Sequence, residues 1–255
     1  MNRAAFVVAV TCSLSVVSPR LDAQTLTLSP SVVQLRGTFG QSTTQTLTIR
    51  NASALALAFD LVAKDVLVRD GERVFVEAGE LPGSIAATAV FSQRHLVVPP
   101  GTAKAVTATV TLQAGAEHRA AVLLFQGTTR IATARGPATA SLGTLLTFSL
   151  GGRQSLASSP LAVTAQTGSA NAAFVQALTN DGAEPVVPKG IVVILDGRGT
   201  SLGKAPFEAR RLLPGERATF RTEYAGELPA GIYRVLSTFE YEGRAVTRTG
   251  ALPVR

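Results

Sequence analysis

The chain has 255 residues, 46% of them hydrophobic, and 24 Lys and Arg against 17 Asp and Glu, for a formal charge of +7. Its cations are scattered singly or in pairs such as Arg210-Arg211 and aromatics are only 5% with no Trp, which excludes the basic stripe and stacking platform of a nucleic-acid binder. One cysteine, Cys12, and two histidines, His95 and His118, exclude a disulfide scaffold and leave no metal-ligand spacing, so neither metal nor cofactor is expected.

Residues 1–23 read as an export signal. Arg3 supplies a short positive end, Ala4 to Val17 is mostly apolar, and Ala23 before Gln24 marks the expected cleavage point. That run is short of the ~20 residues that span a bilayer, and no later stretch reaches that length free of charge, so no transmembrane segment is expected after cleavage. Cys12 follows Val10 and Thr11 rather than a small residue, which argues against lipidation. The mature chain of 232 residues (255 − 23) then has no thiol, and its stability must come from packed cores. The expected location is periplasmic, extracellular or at the cell surface.

From Gln24 the chain alternates apolar and polar residues in short runs broken by Gly, Pro, Asn and Asp, the pattern of strands in sandwiches. Thr25 to Ser29 opens with period two and stops at Pro30. Gln45 to Arg50 and Phe59 to Lys64 follow, then Val66 to Val76, in which Asp70-Gly71 between alternating valines predicts a hairpin. Ala86 to Arg94 has room for a helical turn before the strand-like Leu96-Val97-Val98 and Pro99-Pro100. Ala105 to Leu112 and Ala120 to Phe125 are strands, Gly127 to Gly136 an irregular connection, and Ala140 to Leu150 a long strand. Gly and Ser enrichment over 151–159 predicts a hinged linker. Beyond it come Leu161 to Ala165, Ala172 to Thr179, Ile191 to Leu195, Ala218 to Tyr224, Tyr233 to Tyr241 and Ala245 to Val254, with Glu242-Gly243 turning the last pair. The fold expected is all-β: two tandem immunoglobulin-like β-sandwich domains, at 24–150 and 160–255, after the N-terminal signal peptide.

The two halves repeat one another. Asn51-Ala-Ser follows one strand and Asn180-Asp-Gly another; Pro100-Gly101 and Pro214-Gly215 each precede an alternating run. Phe125 stands to Gly101 as Phe239 stands to Gly215, since 215 − 101 and 239 − 125 both equal 114. The Asn turns are 129 apart (180 − 51), so the first half carries 15 extra residues (129 − 114) between its two turns, where the Asp70-Gly71 hairpin lies.

Little in the chain suggests catalysis. His95 and His118 stand apart, no G-x-S-x-G occurs, and Gly197 to Gly203 lacks the Lys-Ser/Thr ending and following helix of a phosphate loop, so it reads as a turn. Asn51-Ala-Ser53 fits a glycosylation sequon, but an Asn there serves its own turn. A sandwich does leave strand edges whose open backbone groups can receive a partner strand. The strand Ala140 to Leu150, beside the linker, is the expected edge, with Leu142, Thr144, Leu146 and Phe148 as the candidate partner-binding residues.

Leu26-Thr-Leu-Ser-Pro, Leu47-Thr-Ile-Arg-Asn-Ala-Ser and Leu96-Val-Val-Pro-Pro-Gly, followed by alternating Val106, Ala108 and Val110, resemble the first domain of periplasmic pilus-assembly chaperones and of WxL-interacting surface proteins. Asn180-Asp-Gly, Leu213-Pro-Gly and Leu228-Pro-Ala-Gly-Ile-Tyr-Arg are similar to the second immunoglobulin-like domain of such exported proteins. The resemblance implies a non-enzymatic, chaperone-like factor that binds another exported or surface protein through a strand edge or the interdomain cleft. The alternative is a structural or adhesion module at the cell surface, with envelope polysaccharide as the other candidate partner. Pilus chaperones also anchor a terminal carboxylate with an Arg of the first strand; here that segment reads Ser31-Val-Val-Gln-Leu, with Arg36 only later, so no anchor residue carries over.

Overall fold

The computed structural model describes residues 26–133, 136–165 and 172–254; the expected signal peptide and its cleavage point lie outside the described residues. In chain order the first part holds β1 (Leu26–Ser29), β2 (Val32–Arg36), β3 (Ser42–Asn51), β4 (Leu57–Arg69), β5 (Glu72–Glu77), β6 (Val90–Phe91), β7 (His95–Val98), β8 (Ala103–Thr111), β9 (Ala120–Gly127), β10 (Ile131–Thr133), β11 (Gly136–Ala138) and β12 (Leu142–Ser149). The second part holds β13 (Ala157–Ser158), β14 (Ala162–Ala165), β15 (Ala172–Thr179), β16 (Lys189–Leu195), β17 (Ser201–Pro206), β18 (Arg217–Tyr224), β19 (Gly231–Tyr241) and β20 (Arg244–Val254). Ala86–Thr88 is a single 3₁₀ turn, the only helical segment among the described residues, and no described helix is long and apolar enough to cross a membrane.

In the first sandwich a sheet of order β1-β3-β8-β6 packs on one of order β2-β12-β9-β4-β5, with β7 also paired to β4. Period-two patterning decides which side chains meet between them. Along β4, Leu57, Phe59, Leu61 and Ala63 face inward against Ile49 of β3, Val110 of β8 and Phe125 of β9. Phe59 and Phe125 meet edge to face, 6.3 Å between centroids. The second sandwich pairs β15 with β13 and β14 on one side and β18 on the other, facing a sheet of order β17-β16-β19-β20.

The repeat is physical. Asn51 Nδ2 donates to the Leu55 and Val98 carbonyls (2.7 and 3.0 Å) while its Oδ1 accepts from Ser53 N. Asn180 does the same with the Glu184 and Leu212 carbonyls (2.8 and 3.0 Å) and Gly182 N. Both side chains are fully buried, so Asn51 closes its own turn and is not presented for glycosylation.

Three readings need correction. The strand taken for an edge is interior: β12 pairs antiparallel with β9 from Leu142 to Thr147 and parallel with β2 from Leu145 to Ser149. A five-residue strand from the far end of the chain takes the open side, a long-range pairing with no local signature. The linker 151–159 is not free either. Leu156 packs in the second core, Ala157–Ser158 pairs with β15, and Leu150 N and Gly152 N donate to Glu184 Oε1 (3.2 and 2.8 Å), so Gly and Ser freedom is cancelled by tertiary partners. The connection read as irregular carries the β10–β11 hairpin, with Ile131 against the first core.

Candidate functional site: the interdomain cleft

The sheet containing β4, β9 and β12 buries only one face in its own core. Its other face is apolar as well, because a second sandwich leans on it: Val66, Ala120, Val122 and Leu145 form a small core around Leu213, which the second sandwich inserts just before Pro214-Gly215. Beyond Leu213 the two parts diverge around a cleft of about 900 Å³. Val32, Phe75, Leu124 and Leu145 line its floor, and Val32 and Phe75 remain exposed there.

Cations gather at its walls. Lys64 comes from β4, Arg73 from β5, Arg210 and Arg211 from the segment leading to Leu213, and Arg221 from β18, against one lining carboxylate among the described residues, that of Glu208. Glu216, 1% exposed, organises part of this group. It accepts from Arg73 Nε on Oε2 (2.9 Å), from a terminal guanidinium nitrogen of Arg210 on Oε1 (2.9 Å) and from Leu213 N on Oε2 (2.8 Å). Arg73 also donates to the Arg211 carbonyl at 2.6 Å, so β5 is bonded to the second sandwich by both charge and backbone. Lys64 is held by Glu77.

Arg211 differs. It donates to Gln34 Oε1 (2.8 Å) and Thr147 Oγ1 (3.0 Å), and its buried Nε has no hydrogen-bond partner among the described residues. Burial pushes its guanidinium below the ordinary value, Arg73 pushes it further, and Glu242 opposes both. Neither Arg211 nor Arg221 has an ion pair among the described residues. An apolar floor under two guanidinium groups that lack an ion pair suits a ligand that is apolar along one side and anionic at its polar groups.

On the far side of the Leu213 contact, Arg119 from the loop before β9 reaches Glu184, which is also 1% exposed, at 2.9 Å. Its other terminal nitrogen donates to the Ala183 carbonyl. Two buried carboxylates of the second sandwich, Glu184 and Glu216, are thus each met by an arginine of the first.

Leu142, Thr144, Leu146 and Phe148 lie elsewhere. Leu146 and Phe148 are buried in the first core with Leu142 packed against it, and Thr144, also buried, donates to the Pro30 carbonyl. The cleft is lined by their neighbours Gly143 and Leu145, with Thr147 beneath Arg211. Successive residues of a strand point to opposite faces, so the strand touches the cleft through the other half of its side chains. His95 is exposed on Asp60 (2.6 Å), and the described residues hold no group of three His, Cys, Asp or Glu that could bind a metal.

No protein-family model and no curated protein matches the chain. Solved structures of fimbrial chaperones do. It is similar to a chain of the CsuC–CsuE chaperone–tip subunit pre-assembly complex of Acinetobacter baumannii Csu pili, at 8% identity over 88% of this chain and 97% of that one, TM-score 0.45. It is similar also to one in the SafA pilin–SafB chaperone complex of Salmonella enterica, at 9% over 89% and 96%, TM-score 0.41. The E. coli chaperone DraB matches at 13% over 89% and 98%, TM-score 0.39. The likeness is one of architecture.

Proposed function

We propose that this is an exported, non-enzymatic protein-binding factor, chaperone-like in the assembly of an envelope or surface structure, and that it holds a second polypeptide in the cleft between its sandwiches. The observation that carries the reading is the pairing of an open apolar sheet face with cations that have no ion pair among the described residues, Arg211 and Arg221. Exposed apolar surface of this kind, rimmed by charge, is a mark of an interaction site. In this reading the mature protein begins at Gln24, spans residues 24–150 and 160–255 as its two domains, and acts in the periplasm or at the cell surface.

The test is an aggregation assay with a pilin-type subunit lacking one strand of its own sandwich. The mature protein at equimolar amount should keep that subunit soluble on dilution from denaturant. Arg221→Glu, on an exposed side chain, and Arg211→Glu should each weaken holding by about tenfold, the scale of one lost charge-assisted contact. Raising salt to about 0.5 M should weaken the wild type as well, since the Debye length falls to about 4 Å and screens the exposed Arg221. Undiminished holding by both variants, each with an unchanged thermal midpoint, would place the partner surface outside the cleft.

A further inference from the structure

The sheet that floors the cleft has two ends. β2 closes one of them over β12, and β5 forms the other, with β4 as its single strand neighbour among the described residues. β5 is the returning arm of the hairpin in the extra residues of the first half. Asp70 and Gly71 at φ 54° and 82° make the two-residue turn that matches strand twist, and the turn closes on the Arg69–Glu72 pair. In an antiparallel ladder, pairs that exchange hydrogen bonds alternate with pairs that do not. Counting from Arg69–Glu72, Leu67–Val74 and Asp65–Val76 exchange bonds, whereas Arg73 and Phe75, opposite Val68 and Val66, direct their N–H and C=O groups away from β4.

One rung of this edge is already in use. The Gly71 carbonyl accepts from Arg217 N, the first residue of β18, at 2.8 Å. β18 is itself the outer strand of its sheet, with β15 on its other side. Past the Gly71–Arg217 bond the two edges separate, and the cleft opens between Arg73 and Phe75 on one wall and Thr219 and Arg221 on the other. Phe75 is 57% exposed there. Arg73 is neutralised by Glu216 and Glu77 by Lys64, Glu72 belongs to the opposite face of the strand, and Arg221 across the cleft has no ion pair among the described residues.

We infer that Arg73 to Glu77 is a strand-pairing edge, which receives an extended segment of the partner polypeptide as an added outer strand beside β5. The segment alternates apolar residues, set over Phe75 and Leu124, with Asp or Glu, set toward Arg221. This specifies the form of the partner in the cleft reading above and rests on it. The added strand would satisfy the outward groups of Arg73 and Phe75 while side chains supply selectivity by charge.

The probe is a fluorescein-labelled ten-residue peptide alternating Val with Glu and Thr, its affinity for the mature protein followed by anisotropy. Three comparisons decide the matter: the same peptide with Lys for Glu, the same peptide N-methylated at alternate backbone nitrogens, and the protein variant Phe75→Pro beside Phe75→Thr. The acidic peptide should bind at least about tenfold more tightly than the Lys peptide. N-methylation and Phe75→Pro should each cost about tenfold or more, and Phe75→Pro should bind at least about threefold more weakly than Phe75→Thr, which loses the same ring but keeps the N–H. If Phe75→Pro lowers the thermal midpoint, the N-methylated peptide alone decides. Acidic-peptide binding that ignores N-methylation overturns the strand-pairing edge and leaves the cleft reading standing. Absence of binding by every peptide overturns the edge as well, whereas the cleft reading fails on the Arg211 and Arg221 variants in the holding assay.

Discussion

Arg119→Ala should destabilise the protein by about 3–5 kcal/mol at pH 7, the cost of leaving a buried charge without its partner. Glu184 is the group left behind. Burial raises its pKa, but the Gly152 N–H, the Arg119 guanidinium and the Ser149 hydroxyl outweigh burial and hold it below its ordinary value of 4.5. A carboxyl depressed in the folded state stabilises fully above its unfolded pKa and loses that stabilisation as pH falls through the folded one. The wild-type contribution is therefore complete at pH 7 and declines below about pH 4.5. The variant lacks Arg119 at every pH, so its deficit should be large at pH 7 and clearly smaller at pH 3.5. Urea midpoints at the two pH values measure this; an equal deficit at both, or one under about 1 kcal/mol at pH 7, would mean that Arg119 only decorates the interface. Because Arg119 belongs to the first sandwich and Glu184 to the second, the same variant should also loosen their docking, visible as a larger radius of gyration in solution scattering.

Phe239→Ala should lower the thermal midpoint by more than about 10 °C, through a loss of about 3–5 kcal/mol. Phe239 is fully buried at the centre of the second core. It stacks on Phe207 with centroids 4.7 Å apart and meets Phe220 edge-on at 5.1 Å. Gly190 faces it across the β16–β19 ladder, where a Cβ would stand 2.3 Å from the ring. The ring thus occupies the space of two side chains, and its removal opens a cavity that neither Phe207 nor Phe220 can fill without leaving its own contacts. Calorimetry decides it: a shift under about 3 °C would show that the core repacks around the gap.

Much of this architecture was written locally. The period-two runs at Gln45 to Arg50 and Tyr233 to Tyr241 lie within β3 and β19, and that at Ala105 to Leu112 runs one residue past the end of β8. Asn51, Asn180, Pro100-Gly101 and Pro214-Gly215 mark the turns of a duplicated plan because each acts through its own backbone neighbourhood. The candidate site was less legible. Alternation along β12 divides its side chains into two sets, and the more apolar one, Leu142, Leu146 and Phe148, faces its own core, while Leu145 of the other set is covered by Leu213 of the second sandwich. No signal within the strand shows that a second sandwich covers that other face, so the residues that line the cleft were missed.

Sequence by itself determined most of the longer strands, their turns and the repeat, because these follow from φ/ψ preference and side-chain period over a few positions. Only the tertiary structure decided which edges are closed and where charge collects. β2 covers β12, the 151–159 segment is pinned by Glu184 and β15, and Arg73, Arg210, Arg211 and Arg221 converge from three segments of the chain onto one cleft. Those outcomes depend on pairing and burial between residues far apart in sequence, and such interactions have no period of their own along the chain.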